Sequence, residues 1–213
     1  MPDNLAQIDY CFSPGVDYVA GFEAELSEAH GIKSFMADAS VASPPIHNEN
    51  FNFVPKYLGA RTHNQFVTLS DWVKECIGDD DGQRILQMDI EGAEYDVLTY
   101  ESADALAQFS TIIIELHDLQ NIFEPNFFRM LSAIFEKLYK NFSICHVHPN
   151  NCGHIAVLNG IEVPSVIELT LLRNDLINRF QSANPVSLPH RLDRSNKPGF
   201  PDIAMPEIWW RGD

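Results

Sequence analysis

Basic residues are scarce in this sequence. Its 213 residues include 14 Lys and Arg against 30 Asp and Glu, which gives a formal net charge of −16. Nucleic acids and anionic membrane surfaces are bound mainly through clustered Lys and Arg. The composition therefore argues against both as main partners and favours a small-molecule substrate.

The sequence also lacks the patterns of secreted, membrane and zinc-binding proteins. Its four cysteines, Cys11, Cys76, Cys145 and Cys152, form no CxxC pair, which excludes a zinc ribbon and predicts free thiols. No apolar run approaches the roughly 20 residues that span a bilayer, and the polar, acidic first residues are unlike a signal peptide. We therefore predict a cytoplasmic protein without membrane contact and leave homo-oligomer formation open.

What the sequence does contain is an alternation of short apolar runs and amphipathic segments. The runs that predict strands are 8–12, 34–37, 51–54, 85–90, 111–116, 142–147, 155–158 and 166–172. The segments that predict helices are 22–29, one beginning at Ser70, 94–109 and 125–139. We expect strands 142–147 and 155–158 to form an antiparallel pair, because the turn between them is short. The order predicts an α/β fold, a Rossmann-like doubly wound sheet that is mostly parallel with antiparallel strands at one edge.

Periodicity ends near Asn174, and proline becomes frequent beyond it. We predict that residues 1–173 form the Rossmann-like domain. Residues 174–213 are then an extended Pro-rich C-terminal tail packed on that domain. Trp209 and Trp210 are expected to dock in a surface groove.

A glycine turn and an acid indicate a nucleoside cofactor. The first predicted strand leads into Ser13-Pro14-Gly15-Val16-Asp17, where glycine lets a ligand approach the backbone, although no GxGxxG motif is present. The second strand ends at Asp38, where an acid typically holds ribose hydroxyls in Rossmann-like sheets. The alternative is an ordinary loop or capping aspartate.

Acidic residues and a histidine follow the next two strands. Asp89 and Glu91 leave one strand, and Glu115 and His117 close another, each pair on one side of an extended backbone. These types suit a general base, a substrate anchor, or ligands for Mg²⁺ or Mn²⁺. Glu91 has an equally good interpretation as a carboxylate near the positive end of a helix.

His146 and His148 share a face at the end of strand 142–147. Two histidines at this spacing occur in transition-metal sites, but the spacing alone is weak evidence. Substrate contact or structural hydrogen bonding is the preferred interpretation.

Together these segments resemble the FkbM-type S-adenosylmethionine-dependent methyltransferases. The resemblance covers roughly residues 8–172 and is most specific in Met88-Asp89-Ile90-Glu91-Gly92-Ala93-Glu94. The other matching pieces are 12–16, Asp38, 68–73, 114–117 and 148–151.

The resemblance implies a methyltransferase-like Rossmann domain and assigns roles by position. Ser13, Gly15 and Asp17 would line the methionine side of the cofactor, and Asp38 would hold the ribose. Asp89 would lie at the methyl-transfer end and contact the cofactor there, with Glu115 beside it and His117 as general base. Some O-methyltransferases of this fold bind Mg²⁺, a role open here to Asp89, Glu115 and Asp118.

The predicted function is therefore methyl transfer from S-adenosylmethionine to a hydroxyl of a small molecule, sugar or natural product. A nicotinamide-dependent oxidoreductase is one alternative, but it needs a better pyrophosphate loop. A non-catalytic Rossmann-like binding module is the other, favoured by the poor glycine loop.

Overall fold

The computed structural model describes residues 5–177 and 188–209, which contain eleven strands and five α-helices. The strands in chain order are β1 (Tyr10–Pro14), β2 (Lys33–Ala37), β3 (Phe51–Val54), β4 (Tyr57–Leu58), β5 (Phe66–Val67), β6 (Arg84–Met88), β7 (Thr111–Leu116), β8 (Phe142–Pro149), β9 (Ile155–Leu158), β10 (Ile161–Pro164) and β11 (Ile167–Arg173). Seven of them form one sheet in the order β3-β2-β1-β6-β7-β11-β8. Only β11 runs antiparallel to its neighbours β7 and β8, so the predicted fold class is confirmed.

Helices pack on both faces of this sheet. They are α1 (Gly21–His30), α2 (Leu69–Ile77), α3 (Glu94–Tyr100), α4 (Ala103–Leu106) and α5 (Pro125–Leu138). Alternate residues of β1 point to opposite faces. Cys11 belongs to an apolar cluster with Leu26 of α1, whereas Phe12 belongs to a larger one with Trp72 of α2 and Leu131 of α5. Burial on both faces explains why the central strands are apolar runs rather than alternating sequences.

The predicted pairing of strands 142–147 and 155–158 is wrong. β8 pairs with β11, and β9 pairs with β10 in a separate hairpin. The hairpin turn is Asn159-Gly160, and both residues have positive φ (52° and 80°). Two such residues give the turn whose twist matches an antiparallel hairpin. The Asn-Gly turn was therefore a stronger signal for strand pairing than the short turn between strands 142–147 and 155–158, and it pairs β9 with β10.

The predicted helix 94–109 is two helices. Glu101 ends α3 in an extended conformation. Ser102 then caps α4, because its side chain accepts a hydrogen bond of 3.0 Å from the backbone N–H of Ala105. A cap of this kind inside a helical apolar pattern starts a new helix.

Two small features flank the central sheet. β4 and β5 form a separate parallel pair that the sequence did not predict. Residues 188–209 lie against the domain, and the Trp209 indole N–H donates to the Glu162 carbonyl at 3.0 Å. Trp210 and residues 178–187 lie outside the described residues, and the division at residue 173 stays a prediction. Within the described ranges, no helix is long and apolar enough to cross a membrane.

Candidate active site

A cleft of about 680 Å³ opens at the carboxyl ends of β1, β2 and β6. This volume lies in the range of small-molecule and cofactor sites, and the position is where open α/β sheets bind ligands. The residues at its base are Gly15, Asp17, Ala37, Asp38, Gln87 and Asp89. Tyr57 and Phe66 of the small sheet form one wall. Gly15, Asp17, Asp38 and Asp89, all predicted cofactor residues, therefore line one cavity.

Gly15 lies directly against the exit of β6. Its φ is +83°, and a Cβ at this position would lie 1.6 Å from the Asp89 carbonyl oxygen. The Gly15 N–H donates to the Ala37 carbonyl at 3.0 Å, which joins the turn to the end of β2. The turn thus brings three strand ends together, and only glycine fits there.

Asp38 holds the turn after β1 to the loop after β2. One carboxylate oxygen accepts the Asp17 N–H at 2.9 Å, and the other accepts the N–H and hydroxyl of Ser40 at 2.7 and 2.6 Å. Burial raises the pKa of Asp38, but these hydrogen bonds outweigh it and lower the pKa. A carboxylate has about four acceptor positions. Most of this capacity is used within the protein, so Asp38 shapes the cleft whether or not it also binds ribose.

Asp89 follows β6 and forms the inner end of the cleft. Its Oδ1 atom is buried and accepts no hydrogen bond from the described residues. Burial raises its pKa to about 6, with the charges of Glu91 and Glu94 adding to the rise and His117 opposing it. A carboxylate with a raised pKa at the end of a cleft is suited to accept a proton or to contact a ligand.

His117 lies behind Asp89 among four carboxylates. Its Nδ1 is 3.1 Å from Glu94 Oε1, and its Nε2 is 3.8 Å from Asp89. The same Nε2 is 3.5 Å from Glu91 and 3.4 Å from Glu115. Burial lowers its pKa, but the hydrogen bond to Glu94 and the charges of Glu94, Glu115 and Asp89 prevail and raise it to about 9. His117 therefore carries a proton near neutral pH.

Glu94 was not among the predicted site residues. It is fully buried, and its Oε1 accepts the Ile90 N–H at 3.0 Å as well as the His117 Nδ1–H. It thus fixes the orientation of the imidazole ring. Its sequence signals were its place at the end of the segment that carries the resemblance and an acid in the first turn of α3, a position usually explained by the helix dipole.

Glu115 joins the cluster from β7. Its Oε1 accepts the side-chain amide of Asn150 at 2.9 Å. Burial and the charge of Asp89 raise its pKa, the Asn150 hydrogen bond opposes the rise, and the result is a pKa of about 7. The predicted catalytic residues Asp89, Glu115 and His117 are therefore brought together, and Asn150 supports them.

Other candidate residues lie elsewhere. Ser13 is fully buried beneath the cleft, and Glu91 is at the rim with its side chain 86% exposed and φ at +55°. His146 and His148 pair with the C-terminal segment, His146 with Asp193 at 2.9 Å and His148 with Asp202 at 3.3 Å. The structure therefore supports structural hydrogen bonding, one of the two roles predicted for these histidines.

The fold and the cleft define a class of protein. A Rossmann-like sheet has its cavity at the carboxyl ends of β1, β2 and β6, with a glycine turn and an acid after β2. This is the arrangement of α/β proteins that bind nucleoside cofactors. The acidic centre around His117 adds groups suited to proton transfer.

Within this class, residues 56–141 match the model of the methyltransferase FkbM domain, which confirms the predicted resemblance. The matched segment includes Asp89, Glu94, Glu115 and His117, while Gly15 and Asp38 precede it. The match supports S-adenosylmethionine-dependent methyl transfer as the class of reaction.

Comparison with solved structures finds several similar chains at low sequence identity. One is a fibrillarin/Nop5p complex, with a TM-score of 0.46 and 8% identity over 79% of this chain and 73% of that chain. Another is the 16S rRNA (adenine(1408)-N(1))-methyltransferase from Catenulisporales acidiphilia, with a TM-score of 0.38 and 12% identity over 79% and 90% of the two chains. A SAM dependent methyltransferase from Archaeoglobus fulgidus has a TM-score of 0.36 and 12% identity over 79% and 87%. No curated protein matches the chain.

The proposed Mg²⁺ set of Asp89, Glu115 and Asp118 is not assembled. The described residues whose ligand atoms lie within 4.8 Å of one another are Asp89, Glu94 and His117. Asp118 instead accepts a hydrogen bond from Gln120 at 3.1 Å. Within this group, His117 and Glu94 are already joined by a hydrogen bond. The comparisons with known proteins do not support a Mg²⁺ site.

Proposed function

We propose that this protein transfers the methyl group of S-adenosylmethionine to a hydroxyl of a small molecule, such as a sugar or natural product. The FkbM domain match supports the reaction class. The glycine turn after β1 and the acid after β2 both line the cleft, which supports the cofactor because α/β sheets bind nucleoside cofactors at this position.

One observation carries the proposal. The Asp89 carboxylate lines the cleft, burial raises its pKa to about 6, and its buried Oδ1 lies 3.8 Å from His117 Nε2. A hydroxyl acceptor must lose a proton when it is methylated, and Asp89 is the carboxylate placed to receive it. When bound, the cofactor supplies a methyl group on a sulfonium sulfur.

The roles in the acidic centre then divide. The acceptor oxygen forms the new bond to the methyl carbon, the electron pair of the old bond stays on sulfur, and the hydroxyl proton passes to Asp89. His117 stays protonated and stabilises the surrounding carboxylates, while Glu94 and Glu115 hold it in place. The earlier assignment of His117 as general base stays a prediction, and its raised pKa favours Asp89 for that step.

The charge of the cleft supports an uncharged or cationic acceptor. Among the described residues that line it, five are acidic and none is Lys or Arg. A phosphorylated acceptor or a nucleic acid would meet repulsion there. A small-molecule acceptor without nucleic acid or membrane contact, and a location in the cytoplasm, are part of the proposal.

Ligand binding tests the class. Isothermal titration calorimetry is expected to show binding of S-adenosylmethionine and S-adenosylhomocysteine to the full chain. Fluorescence titration with NADH is expected to show none. The opposite pattern would favour a nicotinamide-dependent oxidoreductase, and binding of neither would overturn the proposed function.

Asp89→Asn tests the mechanism. Transfer of tritium from methyl-labelled S-adenosylmethionine is compared across neutral hexoses, amino hexoses, hexose 6-phosphates and an rRNA fragment. With the acceptor that reacts, the variant is expected to lower the single-turnover rate by about 10²–10⁴-fold, because the proton acceptor is lost. In the wild type the rate should rise as Asp89 ionises near pH 6, and this rise should vanish in the variant.

Asp79→Asn, at an exposed turn residue, is the matched control and should leave rate and pH profile unchanged. A full rate in Asp89→Asn would refute the role of Asp89, while transfer to the phosphorylated sugars or to RNA would refute the acceptor class. Loss of activity with EDTA that Mg²⁺ restores would show that the reaction depends on the metal. Cofactor binding without transfer to any acceptor would favour the binding-module alternative.

A further inference from the structure

Three polar side chains form a hydrogen-bonded chain at the base of the cleft. Ser13 of β1 and Glu23 of α1 are buried, and Gln87 of β6 is half-buried. The Ser13 hydroxyl contacts Glu23 Oε1 and lies 2.6 Å from Gln87 Oε1. Glu23 and Gln87 both line the cleft, so the chain lies directly beneath a bound ligand.

The single proton of the Ser13 hydroxyl couples the state of Glu23 to the orientation of the Gln87 amide. With an ionised Glu23, Ser13 would donate to the carboxylate and the amide would be turned over so that its N–H donates to Ser13. In the orientation of the structure, the Gln87 amide oxygen faces Ser13 and only accepts, so Ser13 donates to it. The second contact then needs a proton on Glu23, whose carboxylic acid donates to the Ser13 oxygen.

The surroundings of Glu23 agree with a neutral acid. Glu23 is 3% exposed, and no Lys, Arg or His among the described residues forms an ion pair with its carboxyl group. Burial raises the pKa of Glu23, and the hydrogen bond with Ser13 opposes the rise. Cys11 is the titratable neighbour on β1, and burial raises its pKa well above the usual value. Cys11 therefore stays neutral, and Glu23 is the group that decides the charge.

This chain also fixes the side-chain amide of Gln87. With Oε1 turned to Ser13, the amide N–H groups face away from Ser13, and no described residue accepts them. The cleft beside them has the carboxyl groups of Asp17, Asp38, Asp89 and Glu91, with no cation among its described lining residues. A ligand carboxylate in this cleft therefore depends on neutral N–H donors.

We propose that Glu23 is a neutral carboxylic acid that acts through Ser13 to point the Gln87 amide N–H groups at the carboxylate of the bound methyl donor. Glu23 is thus a positioning residue, and Gln87 is the residue that touches the ligand. This inference rests on the proposed function. An ionised Glu23 would reverse both hydrogen bonds and present the Gln87 oxygen to the ligand, where it would repel a carboxylate.

Calorimetry with two donors isolates the carboxylate. The probes are S-adenosylmethionine and its decarboxylated form, which differ only in that group. Gln87→Leu is expected to weaken binding of S-adenosylmethionine by roughly tenfold or more, because a hydrogen bond to a charged group is lost. Binding of the decarboxylated form should change less than threefold. Equal losses for both probes would overturn the contact.

Substitutions of Glu23 test the proton. Glu23→Leu should weaken S-adenosylmethionine binding as Gln87→Leu does, because the Gln87 amide is no longer fixed. Glu23→Gln should restore most of the affinity, since its amide N–H donates to Ser13 as the acid does. Glu25→Gln, exposed on the same helix, is the matched control. A loss in Glu23→Gln as large as that in Glu23→Leu would overturn the neutral acid.

A measurement on the wild-type protein without ligand guards against misfolded variants. With ¹³C at the glutamate side-chain carboxyl, the signal absent from Glu23→Gln is expected at the chemical shift of a protonated acid at pH 7. An ionised signal would overturn the inference while leaving the proposed function intact. If S-adenosylmethionine does not bind the wild type, the proposed function fails and the Gln87 contact fails with it.

Discussion

At the scale of single residues, the contact of Gly15 with the Asp89 carbonyl sets the tightest limit on substitution. Gly15→Ala would place a Cβ 1.6 Å from that oxygen at a φ of +83°. We expect it to lower the free energy of unfolding by about 2–4 kcal/mol, from overpacking and left-handed strain. It should also abolish binding of S-adenosylhomocysteine. Urea unfolding and calorimetry measure the two effects.

Gly31→Ala measures the cost of left-handed backbone strain without overpacking. Gly31 also has positive φ (+68°), but a Cβ there would meet no atom within 4 Å. We expect a loss of about 1 kcal/mol and unchanged ligand binding. An equal loss at the two positions would mean that the Asp89 contact adds nothing.

At the scale of elements, the end of α3 depends on a lysine from α5. Lys137 Nζ donates to the carbonyls of Leu98, Thr99 and Glu101 at 2.7, 2.9 and 2.7 Å. The last carbonyls of a helix have no partner within it, and a cation is favourable at this end. One side chain therefore closes α3 and joins it to α5.

Lys137→Met tests this cap while keeping the apolar stem. We expect the free energy of unfolding to fall by about 2 kcal/mol, because three carbonyls lose a charged donor. Lys140→Met, at the exposed lysine that follows α5, should change it by less than about 0.5 kcal/mol. Denaturant unfolding of the two variants gives the comparison, and similar losses would contradict the cap.

At the scale of the whole molecule, the C-terminal segment is held to the sheet through His148. Its Nδ1 lies 3.6 Å from Glu168 of β11, and its Nε2 lies 3.3 Å from Asp202. The ion pair with Glu168 raises its pKa, burial opposes this, and the hydrogen bond to Asp202 adds to the rise, giving about 9. Glu168 is opposite Glu115 in the pairing of β11 with β7. One row of charged groups therefore runs from the active centre to the C-terminal segment.

The raised pKa makes this attachment dependent on pH. The protonated form is favoured in the folded state, so its contribution is complete below the unfolded pKa of about 6.5. It is lost as pH rises through about 9. In the wild type, the free energy of unfolding falls between these two pH values. The double variant Glu168→Gln, Asp202→Asn should make this fall smaller by about 2 kcal/mol.

Urea unfolding at the two pH values measures this difference. His117 also loses its proton near pH 9, so part of the wild-type slope should remain in the double variant. Glu136→Gln, exposed on α5, is the control and should keep the full slope. A double variant with the wild-type slope would show that His148 does not hold the segment.

Sequence by itself determined the sheet and the positions of its acids. Apolar runs of strand length are readable because both faces of the sheet are buried, and Asp38, Asp89 and Glu115 come at strand ends where such runs stop. The FkbM domain match supports the same segment around Asp89. Local spacing sufficed for these features, because each depends on one stretch of chain.

Only the tertiary structure decided which groups meet. Glu94 faces His117 across 23 positions of sequence, and the proton that His117 holds depends on three carboxylates that follow β6 as well as on Glu115 of its own strand. The strand pairing likewise placed β9 beside β10, and packing brought His148 into contact with the C-terminal segment. Distances between elements and the burial of charge arise only when the chain is packed, and they set the pKa values on which the proposed chemistry depends.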